Sequence, residues 1–189
     1  MITLRVMFTK VIFIVIVSSC QPSEDSNFKV KSDFIDLDSL IAQQVEMAKG
    51  RKLMKTIEFD GKVENRELQP THEEWATELN TFKSLNINRA YLVGSYEKYS
   101  DPKNMTLEYG LKEGEKGGPL YVKMWTDEHD GLKEIDGALH ESNTLYTAEK
   151  RYNLRFDPNN GRLLSYEFSG YQKLILRDTV QFKIMGRIK

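Results

Sequence analysis

The chain has 189 residues, with 27 Lys plus Arg against 28 Asp plus Glu, a length that suits one domain with one core of ordinary size. This balance excludes the basic surplus by which nucleic-acid binders displace counterions, so no nucleic acid is expected as a partner. A single cysteine, Cys20, excludes a disulfide framework and draws attention to the place where it stands.

That place is the end of an export-type leader. Met1 to Lys10 carries Arg5 and Lys10 and no acid, and Val11 to Val17 is an unbroken apolar run, the order of a signal peptide. As a helix the run spans only about 10 Å, against roughly 30 Å of bilayer hydrocarbon, which argues against a permanent membrane span. The junction Val17-Ser18-Ser19-Cys20 resembles the lipobox of bacterial lipoproteins: an aliphatic residue, two small ones, then the cysteine that is diacylated before cleavage. The resemblance implies a signal peptide over residues 1–19, lipid on Cys20, and a mature chain of 170 residues with 25 basic against 28 acidic side chains. Several acyl chains, each contributing about 0.8 kcal/mol per buried CH₂, would make release from the membrane negligible.

Residues 20–32 follow as a polar, acidic tether without an apolar run, able to reach about 40 Å at full extension. Its acidic pair Glu24-Asp25 resembles the export signal of surface lipoproteins in Bacteroidota. The lack of Asp directly after Cys20 resembles outer-membrane sorting in enterobacteria. Both point to a cell-envelope, lipid-anchored protein of the outer membrane, facing either the periplasm or the surface.

One domain is expected over residues 33–189. A helix is expected from Asp33, because Phe34, Leu37, Ile41, Val45 and Ala48 form one apolar stripe and Gly50 marks its end. Leu53–Phe59 and Lys62–Leu68 flank Asp60-Gly61, the signature of a hairpin. A second helix begins at Thr71-His72-Glu73-Glu74, a capping box, and lines Trp75, Leu79 and Phe82 along one face. From Ala90 onward the pattern is of strands, beginning with Tyr91, Val93 and Ser95 alternating against Leu92, Gly94 and Tyr96. The clearest alternation comes late: Tyr146, Ala148, Tyr152, Leu154 and Phe156 on one face, then Leu164, Tyr166 and Phe168, then Val180, Phe182, Ile184 and Ile188.

Strands with one dry and one wet face belong to an antiparallel sheet covered on one side. The expected architecture is therefore α+β: about eight or nine meandering strands curled like a half-barrel, packed by the two amphipathic helices of the N-terminal half. Such a curled sheet is similar to the carrier and receptor fold of bacterial lipoprotein localisation, which implies a lipid- or lipoprotein-carrying role as an alternative. The leader, tether and general character resemble small Bacteroidota envelope lipoproteins.

Chemistry is sparse. His72 falls in a helical first turn, His129 in the turn Asp127-Glu128-His129-Asp130-Gly131, and His140 near a strand end, without the ligand spacing of a metal loop. Gly94-Ser95-Tyr96 lacks the second glycine of a nucleophile elbow, and Gly110 to Gly118 lacks the Gly-Lys-Ser/Thr ending of a phosphate loop. No catalytic residue, metal or cofactor is expected. The aromatic residues Tyr96, Tyr99, Tyr121 and Trp125 are the candidate binding surface, since the strand carrying Tyr121 and Trp125 has no clear wet side. The sequence thus favours a non-catalytic domain that binds an envelope protein or a small apolar ligand, ahead of a carrier or a hydrolase of envelope polymers.

Overall fold

Asp36 caps the first helix. Its Oδ1 accepts the backbone N–H groups of Asp38 and Ser39 at 3.1 and 3.4 Å, and its Oδ2 accepts the Ser39 hydroxyl at 2.6 Å, which satisfies donors that a helix leaves free at its N-terminus. The computed structural model describes residues 35–189. The leader, Val17, Ser18, Ser19, Cys20, the tether, and Asp33 and Phe34 lie outside the described residues. Among the described residues no helix is long and apolar enough to cross a membrane.

Helix α1 spans Leu37–Met47, shorter at its front than the apolar stripe suggests, because Asp36 caps it. Leu37, Leu40, Ile41, Val45 and the following Ala48 are buried. Strands β1 (Leu53–Phe59) and β2 (Lys62–Leu68) form the expected hairpin, with Asp60 and Gly61 both at positive φ. Helix α2 spans His72–Asn80 with both bonds of its capping box made. Its last turn runs into a 3₁₀ helix over Thr81–Leu85, which carries buried Phe82 and Leu85.

The region after Ala90 corrects the strand expectation. Ala90–Leu92 is a second 3₁₀ turn and Gly94 takes a left-handed φ of 82°, so Tyr91 and Val93 are exposed and pairing starts only at Tyr96. Then follow β3 (Tyr96–Asp101), β4 (Thr106–Leu111), β5 (Tyr121–Thr126), β6 (Leu132–Ser142), β7 (Tyr146–Phe156), β8 (Leu163–Leu174) and β9 (Val180–Ile188).

All nine strands form one open antiparallel sheet in the order β2-β1-β9-β8-β7-β6-β5-β4-β3. It is a curved α+β architecture in which a meander from β3 to β9 is completed by the N-terminal hairpin on β9. The segment from α2 to the second 3₁₀ turn joins the two opposite edges, β2 and β3, and therefore crosses the sheet. That crossing covers the inner face. Trp75, Leu79, Phe82 and Leu85 are all fully buried and share one core with Leu53, Tyr109, Val122, Ile135, Tyr152, Leu154, Tyr166 and Ile188 from the strands. The expectation for Leu164 is corrected here: a bulge pairs Phe156 with Leu163 while Arg155 pairs with Ser165. Leu163 is buried and Leu164 is exposed, because the extra residue swings out of the ladder.

Candidate polar face of the sheet

Strand alternation sends every second side chain to the outer face, away from the helices. Pairing aligns these residues in rows across the sheet, one of which runs Tyr99, Glu108, Lys123, Asp136, Asn153, Glu167, Met185 and Thr56. In it Lys123 stands between Glu108 and Asp136, while Glu167 is matched by Lys183 from the neighbouring row. Lys123 Nζ lies 3.2 Å from Glu108 and Lys183 Nζ 3.0 Å from Glu167.

Asn153 is the centre of this face. Its side-chain amide donates to Glu134 Oε1 at 2.6 Å and to Asp136 Oδ2 at 3.3 Å, while Tyr121 donates its hydroxyl to Asp136 Oδ1 at 2.7 Å. Burial, then this bond to Asp136, pushes the Tyr121 phenol up to about 12. Arg155 stands 3.8 Å from Glu134. Beside this network lies an open trough of about 680 Å³ lined by Met54, Asp136, Asn153, Arg155, Glu167, Met185, Arg187 and Lys189, among others. It mixes hydrogen-bond donors, acceptors and two flexible thioethers.

The four aromatic residues singled out by sequence divide between the faces. Tyr121, Trp125 and Tyr99 lie on the outer face, with the Lys123 ammonium 5.3 Å from the Trp125 ring centroid and Tyr99 donating to Glu97. Tyr96 belongs to the inner face. Its hydroxyl donates to the Pro119 carbonyl at 2.7 Å and burial raises its proton affinity, so it packs under the loop after β4 rather than joining the other three. The polar members of the trough, Asp136, Asn153, Arg155, Glu167 and Arg187, were legible only as wet sides of separate strands. Register, which brings them together, leaves no mark within one strand.

The remaining candidates have structural duties. His72 Nε2 lies 2.7 Å from Glu46, linking the two helices. The turn at His129 is built around Asp127, whose carboxylate accepts the backbone N–H groups of Gly131 at 2.7 Å and His129 at 2.8 Å and is thereby held below its ordinary range. Ser95 donates to Glu115 at 3.0 Å, tying down the glycine-rich loop. Among the described residues no group of three His, Cys, Asp or Glu side chains gathers as a metal site.

On the inner face Lys55, Glu78 and Tyr166 form an ionic network. Lys55 Nζ meets Glu78 at 2.6 Å, both mostly buried, and the buried Tyr166 hydroxyl donates to the same carboxylate. Burial, followed by this bond, raises the Tyr166 phenol well above its ordinary value. Elsewhere the enclosed core keeps a void of about 10 Å³ among Ile35, Leu37, Leu85, Ile87, Tyr109, Val122, Met124 and Ile135, and solvent-open recesses flank it: about 590 Å³ between α2 and the β1–β2 hairpin, lined by Leu53, Leu68, Pro70, Glu74 and Glu78, and about 420 Å³ at the β3–β5 end, lined by Lys98, Leu107 and Met124 among others. No known family model matches the chain, and comparison with curated proteins and with solved structures finds no match.

Proposed function

We propose that the chain is a membrane-anchored envelope lipoprotein whose domain binds a neighbouring protein on the outer face of the sheet without catalysing a reaction. The observation that carries this reading is the contrast between the two faces. The inner one is given over to an apolar core under the helices, with solvent-open recesses of about 590 and 420 Å³ flanking it, whereas the outer one gathers Asp136, Asn153, Arg155, Glu167 and Arg187 around a solvent-open trough of about 680 Å³. A face that mixes Lys123, Arg155, Lys183 and Arg187 with Glu108, Glu134, Asp136 and Glu167 suits recognition of a complementary protein surface, where such groups set register and reject wrong partners. A small apolar ligand has little to hold it among Asp136, Asn153, Arg155 and Arg187. The address rests on Val17-Ser18-Ser19-Cys20 and the apolar run before it.

An enclosed lipid or lipoprotein carrier needs a cavity for acyl chains between helices and sheet; the enclosed void there is about the size of a single probe sphere, and the larger recess beside α2 is open to solvent and rimmed by Glu73, Glu74 and Glu78. A hydrolase has one observation in its favour: Glu134 and Asp136 converge on Asn153. Both are engaged with Asn153 on an open face, and Asp136 also accepts the Tyr121 hydroxyl, so binding is the better-supported reading.

The test is a crosslinking pull-down from membranes with the tagged full chain, the Cys20→Ala chain and an Arg155→Glu/Arg187→Glu chain. Wild type is expected to retain lipid on Cys20 by mass spectrometry and to capture a discrete protein that the double charge reversal loses. An unmodified Cys20 thiol in the mature protein overturns the anchor, and identical capture by both chains overturns the trough as the binding face. Release of reducing ends from envelope polysaccharide that Glu134→Gln abolishes replaces binding with hydrolysis.

A further inference from the structure

Two turns meet at the end of the sheet remote from the β7–β8 turn. Because Tyr146 pairs with Leu174, the β6–β7 turn lies beside the β8–β9 turn, and the Ile175 N–H donates to the Leu145 carbonyl at 3.0 Å. This joint apex is apolar and in water. Leu176 is 91% exposed, Ile175 68%, Leu145 66% and Leu174 38%.

Turns ordinarily recruit Gly, Asn, Asp, Ser and Pro, and the first of these obeys: Asn143 Oδ1 accepts the N–H groups of Leu145 and Tyr146 at 2.8 and 3.0 Å. That bond pattern fixes the backbone and leaves Leu145 pointing outward beside its neighbour. The second turn, closed by Arg177 N–H to the Leu174 carbonyl at 3.2 Å, uses Leu-Ile-Leu where no backbone requirement calls for it. Below the apex stand half-exposed Tyr146 and Tyr171, and beside it exposed Lys173 and Arg177, with Asp178 the one acid from Lys173 to Thr179. An aliphatic tip flanked by cations and backed by tyrosines combines the groups that favour the boundary between acyl chains and anionic headgroups.

We infer that this apex inserts into a lipid bilayer as a second membrane contact beside the N-terminal lipid. The inference rests on the anchored reading above. The stretch from Cys20 to Ile35 can extend to about 50 Å, more than the roughly 40 Å length of the longest strand, β8, so anchor and apex can reach one membrane. Lys173 and Arg177 complement anionic headgroups, and a narrow projecting tip fits the depth of an interface better than it fits a broad protein surface.

The experiment uses the full chain carrying Leu176→Cys, purified from membranes, labelled with an environment-sensitive fluorophore and reconstituted into phosphatidylethanolamine–phosphatidylglycerol vesicles. Lipidation consumes the Cys20 thiol, leaving one reactive position. The label is expected to shift to the blue and to lose at least half its emission to lipids brominated in the acyl chain. A label at Glu128→Cys, on the β5–β6 turn at the opposite end of the sheet, is expected to do neither. Protein that stays on washed vesicles with an unquenched label at position 176 overturns the apex alone, and protein that washes off overturns anchor and apex together. A label at 176 that crosslinks to a protein in intact cells while staying unquenched assigns the apex to that protein instead.

Discussion

Gln44 is a single polar side chain on the buried face of a helix, and it does what the backbone of the β7–β8 turn cannot do for itself. Its Nε2 donates to the Gly161 carbonyl at 2.9 Å and its Oε1 accepts the Leu163 N–H at 2.7 Å. Replacing it by Leu would strand both backbone groups away from water, so Gln44→Leu is expected to cost roughly 2 to 4 kcal/mol in urea unfolding despite its gain in hydrophobicity. Tyr166 gives the chain an alkaline limit. Its proton affinity is raised in the folded state, so its contribution to stability is fully present below the ordinary phenol value near 10 and declines as pH rises beyond that, when the unfolded chain ionises first. Wild type is expected to lose stability above about pH 10, and Tyr166→Phe to flatten that decline in denaturation midpoints read from pH 8 to 11.

At the scale of elements, the helical crossing fits because the sheet makes room for it. An added Cβ at Gly137 would lie 2.5 Å from Leu85 Cδ2 and 2.9 Å from the Tyr121 carbonyl, so the missing side chain is the socket that receives Leu85. Gly137→Ala is expected to lower stability by about 1 to 3 kcal/mol, with Leu85→Ala in the same chain recovering part of the loss in a double-mutant cycle. Much of this architecture was legible in sequence. The capping box at Thr71, the hairpin at Asp60-Gly61 and the alternation of Tyr146 to Phe156 are local signals, and local physics decides them. What escaped depends on neighbours. Leu164 has the same apolar character as Leu163 and only the bulge against Arg155 and Phe156 separates them, while Tyr91 and Val93 alternate like strand residues but have no partner strand to pair with. The outer trough escaped for the same reason, since Asn153 becomes central only when β6 and β8 are in register on either side of it.

For the whole molecule, the consequential feature is that the N-terminal hairpin closes onto the C-terminal strand, from Leu53 opposite Ile188 to Phe59 opposite Phe182. β1 thus has its second lateral neighbour, besides its own hairpin mate β2, in β9, a strand that follows only after all the others described here. Such a wiring diagram raises the mean loop that must close before pairing is rewarded, which slows the final ordering step. It also makes completeness a condition of protection: a polypeptide cut short before Val180 would leave β1 and β8 as two unsatisfied ladders, the form in which an unfinished product is most open to aggregation or proteolytic removal.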